Sequence, residues 1–399
     1  MATAGGLEGP NIRDANTAHF GPLRQVLAIL TLTPVTTTIW LCMISLAALI
    51  AVWLILSWVW VPLLAYAILA LHELLAFAVF HRGLFPSAER VARVYQWFTL
   101  FLGDQPDLQQ RGDLTEGLFD GDYTKSIEQA TLDKYAQIVA LLDLKPGMRV
   151  LDVGCGLGDF LSYLGAHGIS GTGLTLSPEQ QRIGAARGLD IRVLDFRAPL
   201  PDDLSGEFDA VTLIGSLEHF NTSYQKADRT GADAVFAAVF RSAAAALAPA
   251  SPSRRVFSAT LHSTAPHGWT ASDWIHAYSF HGHYSGLYPL EGDFERLCGP
   301  WLTVAHKQDT TIDYQFSSIA ARGHFGNFKL RWTPRKALYA MLLLAVNPFA
   351  PWSWVYHYRR SWLWQFGGTD IATTRPRPAR ALWYVHQMGS QMDRPNNLG

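Results

Sequence analysis

Charged side chains are scarce in this sequence of 399 residues, where they make up 16% of the total against 49% hydrophobic residues. Soluble globular proteins carry roughly 25% charged residues, so the deficit indicates that part of the chain contacts lipid. The formal net charge of -1 gives the chain no overall field that would attract nucleic acid. A nucleic-acid partner is therefore disfavoured.

Cysteine is also rare, and its spacing excludes two classes of site. Cys42, Cys155 and Cys298 lie far apart and form no Cys-x-x-Cys pair. The pattern suggests neither a disulfide framework nor a zinc site, and it fits a reducing compartment that faces the cytosol. A histidine-rich stretch at 276–283 matches no standard zinc spacing either, so no metal site is predicted.

A long stretch lacks charge altogether. Residues 26–71 contain no Asp, Glu, Lys or Arg, and Glu73 is the only interruption before residue 80. A membrane span needs about 20 apolar residues, so this run predicts a hairpin of two transmembrane helices near 36–57 and 59–80. Arginines on both flanks favour two cytoplasmic ends, which a single span does not provide. The alternative is a buried helical hairpin in a soluble protein.

The rest of the chain divides by composition. The alternation of helical patterns, short apolar strands and glycine turns over 126–260 predicts an α/β fold with a parallel sheet. A second charge-free run at 337–356 contains Pro348 and Pro351, which disfavour a straight spanning helix. An interfacial or re-entrant segment and a helix pair that closes the catalytic core are equally compatible with it. The predicted divisions are an N-terminal tail at 1–25, the transmembrane hairpin at 26–82, an interfacial linker or active-site cover at 83–125, the catalytic domain at 126–328 and a membrane-proximal helical region at 329–399.

A glycine-rich turn follows one of the predicted strands. The segment from Arg149 to Phe160 contains Gly154 and Gly156 between an apolar strand and a helix. Glycines let the backbone approach a ligand closely, and the helix start offers free N–H groups. A nicotinamide or flavin site would place an acidic residue about 20 residues further on. Thr175 and Ser177 occupy these positions instead, which favours a nucleoside ligand other than a nicotinamide or flavin dinucleotide.

Three motifs together resemble the cyclopropane-fatty-acid synthase family. They read Leu144-Lys-Pro-Gly-Met-Arg-Val-Leu-Asp-Val-Gly-Cys-Gly156, Gly173-Leu-Thr-Leu-Ser-Pro-Glu-Gln-Gln181 and Leu217-Glu-His219. The resemblance runs from about Phe119 to Thr311 and returns near 381–386. It implies a Rossmann-like class I methyltransferase domain that uses S-adenosylmethionine, and the hairpin makes the chain similar to membrane-anchored sphingolipid C-methyltransferases.

The resemblance also implies which residues hold the cofactor and which do the chemistry. The cofactor contacts carried over from the family are Asp152, Gly154, Cys155, Gly156, Thr175, Gln180, Asp195 and Phe196. In the family a bicarbonate ion acts as base, held by residues that correspond here to Glu218, His262 and Tyr314. For Cys155, a small buried residue is the more ordinary interpretation than a reactive thiol. For His262 and Tyr314, the ordinary interpretation is a hydrogen-bonded core residue.

The expected function is methyl transfer from S-adenosylmethionine to an unsaturated acyl chain of a membrane lipid, giving a cyclopropane or another C-methylated product. The expected location is the membrane, with the catalytic domain on the cytoplasmic side. One alternative is N-methylation of a small amine, although such an enzyme has little use for an anchor. Another is a membrane scaffold that keeps the fold without the reaction.

Overall fold

The computed structural model describes most of the central part of the chain. The described residues are 34–53, 113, 115–220, 229–264, 288–326, 332–338, 371–372 and 377–389, with the single residues Tyr95, Thr99, Met341 and Phe366. The predicted second membrane helix at 59–80, the histidine-rich stretch at 276–283 and nearly all of 337–356 lie outside them.

The first described helix, α1, spans Pro34–Trp53 and carries no charged residue. Its side chains are described only over 42–51. In the part of the chain that the structure describes, no helix combines the length and the apolar character needed to cross a membrane. The predicted hairpin at 26–82 stays a prediction.

The described residues form one sheet of seven strands, in the order β3-β2-β1-β4-β5-β7-β6. Strands β1 to β5 are parallel, whereas β7 runs antiparallel to β5 and to β6. The predicted α/β fold with a parallel sheet is confirmed. The strand bounds are Arg149–Val153 for β1, Ser170–Thr175 for β2, Asp190–Val193 for β3, Ala210–Ile214 for β4, Arg255–Ser263 for β5, Leu302–Asp309 for β6 and Ala379–Met388 for β7.

Helices precede and connect the parallel strands, and two of them begin at serine caps. Ser126 accepts a hydrogen bond from the N–H of Gln129, and Ser177 accepts one from the N–H of Gln180. Such caps satisfy N–H groups that have no partner inside the helix. The helices after α1 are α2 Ile127–Leu141, α3 Asp159–Ala166, α4 Pro178–Ala186, α5 Arg229–Ala246, α6 Asp293–Leu297 and α7 Thr311–Gly326.

The sheet is covered on both faces, and alternate residues of β5 contribute to each. Val256 packs with Phe240 of α5 and Phe294 of α6 on one face, which we call the α5 face. Phe257 packs with Ile138 of α2 on the other, which we call the α2 face. Successive strand residues point to opposite faces, so the face of any β5 side chain follows from its position.

Strand β7 lies well beyond residue 328, where the catalytic domain was predicted to end. It nevertheless pairs with β5 over nine residues, from Arg255 opposite Gln387 to Ser263 opposite Ala379. The returning resemblance near 381–386 falls inside this strand. The sheet therefore takes its penultimate strand from the C-terminal part of the chain.

Candidate active site

The glycine loop after β1 is held against the neighbouring strands. The N–H groups of Gly154 and Cys155 donate to the carbonyl oxygen of Leu174, at 2.8 and 3.0 Å. Gly154 has φ +82°, and a Cβ at this position would lie 2.3 Å from the Cβ of Ser216. Only glycine fits both constraints. The predicted cofactor residues Gly154, Cys155 and Gly156 thus lie together at the carboxyl end of β1.

Asp152 precedes this loop and is buried. Its Oδ1 accepts a hydrogen bond of 2.8 Å from the hydroxyl of Thr212 on β4. Burial raises the pKa of Asp152 to about 7, although the Thr212 hydrogen bond opposes the rise. Burial also raises the pKa of the Cys155 thiol well above its usual value. Cys155 is therefore a neutral thiol at pH 7. It does not resemble a reactive cysteine, because reactive cysteines have a lowered pKa.

Thr175 and Gln180, which are predicted to lie on the ribose and adenine side, contact each other at the end of β2. The Thr175 hydroxyl donates to Oε1 of Gln180 at 2.6 Å, and the N–H of Ser177 donates to the Thr175 hydroxyl at 3.1 Å. Both side chains are buried. The start of α4 thereby fixes the amide of Gln180 beside the carboxyl edge of the sheet.

Asp195 and Phe196 follow β3, and their side chains lie in different surroundings. Asp195 forms an ion pair of 2.7 Å with Arg197, and Arg197 also donates to the carbonyl oxygen of Phe220 at 3.1 Å. Phe196 is buried in the core of the α5 face and meets the Phe220 ring edge to face at 6.4 Å. The carboxylate is thus the more accessible member of the pair.

Glu218 lies in a single 3₁₀ turn, Leu217–His219, just after β4. Only 2% of the residue is exposed, and its Oε2 atom has no hydrogen-bond partner among the described residues. Burial raises the pKa of Glu218 to about 8, against hydrogen bonds from its own N–H and that of Leu261, and Glu116 adds to the rise. The structure therefore holds an acid that is neutral below about pH 8 at this edge.

Tyr314 and His262 lie on different faces of the sheet. Tyr314 of α7 packs with Leu261 and with the ring of Phe366, whose centre lies 5.0 Å away. His262 points to the α5 face, where its ring lies 4.6 Å from that of Phe294. Burial lowers the pKa of His262 to about 4. The structure thus brings Tyr314 close to the strand that binds Glu218 but does not bring His262 to the same face.

Two buried charged residues were missed in the sequence. Glu116 lies in the predicted linker and accepts a hydrogen bond from the Trp383 side chain of β7. Lys134 is fully buried on α2 and pairs with Asp113. The signal for Lys134 was present, because it falls on the buried stripe of α2 that includes Ile127 and Ile138. A lysine on such a stripe needs a buried partner.

The strand order and the glycine loop define a Rossmann-like α/β fold, and comparison with solved structures shows which proteins share it. The cyclopropane synthase MmaA2 from Mycobacterium tuberculosis is 18% identical, with a TM-score of 0.55 over 76% of this chain and 99% of that chain. The mycolic acid cyclopropane synthase CmaA1 complexed with SAH and CTAB is 19% identical, with a TM-score of 0.52 over the same shares. The predicted methyltransferase fold is confirmed.

Comparison with known sequences shows which family this chain resembles. Residues 117–242 match the family model described as mycolic acid cyclopropane synthetase. A stretch of 120 residues is 38% identical to the cyclopropane-fatty-acyl-phospholipid synthase of Escherichia coli K12. That stretch covers 28% of this chain and 29% of the relative. The predicted resemblance to the cyclopropane-fatty-acid synthase family is confirmed over residues 117–242, which contain the glycine loop and Glu218.

Proposed function

We propose that this chain transfers a methyl group from S-adenosylmethionine to an unsaturated acyl chain of a membrane lipid, forming a cyclopropane or another C-methylated product. The observation that carries the proposal is Glu218. A buried acid with a free oxygen lies beside a nucleoside loop and next to the apolar cluster of Leu261, Tyr288, Tyr314 and Phe366. An alkene needs apolar surroundings, whereas an amine substrate would need more polar ones.

The residues of the loop fit S-adenosylmethionine. Gly156, where no atom lies within 4 Å of an added Cβ, leaves room for a ligand against the backbone, and the joined side chains of Thr175 and Gln180 offer polar contacts for the ribose and adenine. Asp152, Cys155 and Gly156 would line the methionine part, and Asp195 the adenine side. The cofactor supplies an electrophilic methyl group on a positively charged sulfur. The protein's part is to orient that methyl group and to exclude water from the reaction.

A membrane location follows from the lipid substrate. The hairpin at 26–82 would anchor the chain, with the catalytic domain on the cytoplasmic side. Three large apolar side chains in the C-terminal region support contact with the bilayer, because each is more than half exposed: Trp332, Leu338 and Met341. Exposed apolar side chains that cluster on one segment are typical of membrane or protein contacts.

Bicarbonate, which the resemblance implies as base, would need Glu218, His262 and Tyr314 around one point. The contacts of Glu218 and Tyr314 with residue 261 support a shared site for these two. The ring of His262 packs on the opposite face, against Phe294 and Tyr384. The three expected bicarbonate ligands therefore do not meet at one point, because His262 lies away from Glu218 and Tyr314.

The test is intact-lipid mass spectrometry on a host that has unsaturated phospholipids and expresses the full chain. The host is fed methyl-deuterated methionine, and a matched culture expresses the Glu218→Gln variant. We expect lipids heavier by one methyl-derived carbon with the active chain and none with the variant. Two retained deuteriums indicate a ring or a methylene group, and three indicate a methyl branch.

Two other outcomes would favour a different function. Cofactor binding by the purified chain without any labelled lipid would favour a small amine or another soluble acceptor. Failure to bind S-adenosylmethionine, measured by calorimetry, would favour a scaffold and contradict the proposal.

A further inference from the structure

The turn that carries Glu218 begins at Gly215, directly after β4. The N–H of Gly215 donates to the carbonyl oxygen of Ala259 on β5 at 2.8 Å. A Cβ added to Gly215 would lie 2.3 Å from Cγ2 of Thr115, which belongs to the segment predicted as an interfacial linker or active-site cover at 83–125. The start of the turn is therefore fixed between β5 and this linker.

The end of the turn is His219, and it contacts a second residue of the linker. The hydroxyl of Tyr95 and Nε2 of His219 form a hydrogen bond of 2.9 Å. The centres of the two rings lie 5.7 Å apart at an interplanar angle of 77°. Tyr95 and Thr99 are both helical, and Thr99 is only 4% exposed. Because residues four apart lie on one side of a helix, this side of the linker faces the protein interior.

The ring of His219 connects Tyr95 with the apolar cluster beside Glu218. Its centre lies 6.2 Å from that of Tyr288, and the two rings meet edge to face at 85°. Tyr288 packs in the same cluster as Leu261, whose N–H donates to Glu218. A rotation of the imidazole would therefore disturb an aromatic neighbour of the site and the turn that carries Glu218.

The hydrogen bonds within the turn are weak. It is a 3₁₀ turn, in which the N–H of His219 donates to Ser216 at 3.0 Å and that of Phe220 donates to Leu217 at 3.2 Å, each to the carbonyl oxygen. Such bonds have poorer geometry than those of an α-helix. Oε2 of Glu218 has no hydrogen-bond partner among the described residues. The direction of this carboxyl group therefore depends on the contacts that hold the two ends of the turn.

We propose that Tyr95 is a positioning residue of the active site, whose hydroxyl holds the ring of His219 so that the turn directs Glu218 towards the acyl side. Thr115 holds the other end of the turn at Gly215. The inference rests on the proposed lipid methylation. It assigns part of the predicted linker to the active site as its cover.

The loss of this hydroxyl should affect the chemical step and leave cofactor binding intact. The cofactor residues are held by other contacts, which join Gly154 and Cys155 to Leu174 and Thr175 to Gln180. Tyr95→Phe keeps the aromatic ring and removes only the group that bonds to His219. We therefore expect a lower kcat at an unchanged affinity for S-adenosylmethionine.

The first test compares the kinetics of Tyr95→Phe with those of the unsubstituted chain. The purified full chain in detergent receives methyl-deuterated S-adenosylmethionine and vesicles of monounsaturated phospholipid. We expect kcat to fall by roughly three- to tenfold, which corresponds to the loss of one hydrogen bond, with an unchanged KM for lipid. Tyr163→Phe is the matched control, because the Tyr163 ring also lies against a histidine, His167, at 4.2 Å. An unchanged kcat, or a loss of S-adenosylmethionine binding in calorimetry, would overturn the inference.

The second test asks whether Tyr95 acts through His219. In a chain that carries His219→Ala, Tyr95→Phe should cause no further loss of kcat, because substitutions that remove the same contact are not additive. His219→Gln has an amide that can bond to the Tyr95 hydroxyl, and it should recover most of the kcat lost in His219→Ala. Effects that multiply, or a glutamine variant as slow as the alanine variant, would overturn the inference.

A third measurement separates this inference from the proposed function. Hydrogen exchange with mass spectrometry follows the backbone amides of 215–220 and of the glycine loop at 154–158, without any lipid. Tyr95→Phe should accelerate exchange in the turn by roughly three- to tenfold and leave exchange in the loop unchanged. Unchanged exchange in the turn would overturn the role of Tyr95. A lack of labelled product from the unsubstituted chain would instead overturn the proposed lipid methylation.

Discussion

Replacing Glu218 by glutamine should make the stability of the protein less sensitive to alkaline pH. The pKa of Glu218 is raised by burial from 4.5 to about 8 in the folded protein. Between these values the folded state binds a proton that the unfolded state releases. The group therefore stabilises the fold fully below pH 4.5, and this contribution is lost as pH rises through about 8.

The size of the effect follows from the shift. Each pKa unit corresponds to about 1.4 kcal/mol, and most of the loss between pH 6 and pH 9 falls below the folded pKa of about 8, where the unfolded state has lost the proton and the folded state still holds it. Linkage then gives a decrease of roughly 2–3 kcal/mol in the free energy of unfolding over that range from Glu218 alone. For a domain of this size the decrease corresponds to a fall of roughly 5–10 °C in melting temperature. Glutamine has no proton to lose, so this part of the fall should disappear.

The assay is thermal unfolding of the full chain in detergent, followed by tryptophan fluorescence at constant ionic strength from pH 6 to pH 9. Asp152, whose pKa is also raised by burial, to about 7, contributes equally in both proteins and cancels in the comparison. Glu128→Gln serves as the control because its carboxyl group is exposed. If the melting temperature of Glu218→Gln falls with pH as steeply as that of the unsubstituted chain, Glu218 is not a buried neutral acid and the reasoning is refuted.

Three further variants test other parts of the structure. Gly154→Ala should weaken S-adenosylmethionine binding in calorimetry by roughly tenfold or more, whereas Gly156→Ala, where no atom lies within 4 Å of an added Cβ, should cost less. Lys134→Met should lower the free energy of unfolding in urea by about 3–5 kcal/mol because Asp113 stays buried without its cation, and adding Asp113→Asn should restore much of it. Burial lowers the pKa of His386 to about 4, so stability is lost as pH falls from 6.5 towards that value. His386→Phe should remove about 2 kcal/mol of the loss between pH 7.5 and pH 5, as measured by thermal unfolding.

The sequence was sufficient to predict the fold class and the position of the glycine loop, because both depend on local patterns. Apolar strands, glycine turns and capped helices alternate within short windows, and Gly154 follows its strand directly. The closeness of Thr175 and Gln180 could also be predicted, because a strand end followed by a helix start fixes their separation. The family resemblance added the chemistry that the spacing of residues does not contain.

The relations between distant segments could not be predicted in the same way. His262 shares a strand with Leu261, and a strand places neighbouring residues on opposite faces, but the sequence does not reveal which face borders the site. Glu116 and Trp383 are separated by 267 positions. No local pattern connects them, so the buried contact between this acid and β7 could be recognised only from the structure.

Strand β7 has a consequence for the order in which the sheet forms during synthesis. Residues 379–388 are inserted between β5 and β6, and Trp383 within them orients Glu116. A nascent chain can complete the parallel strands and the cofactor loop while this strand is still inside the ribosome. Ribosome-bound chains and products truncated before residue 379 should therefore retain the glycine loop but lack the Trp383 side chain that binds Glu116. Late insertion of this strand thus delays completion of the seven-stranded sheet until residue 388 has emerged.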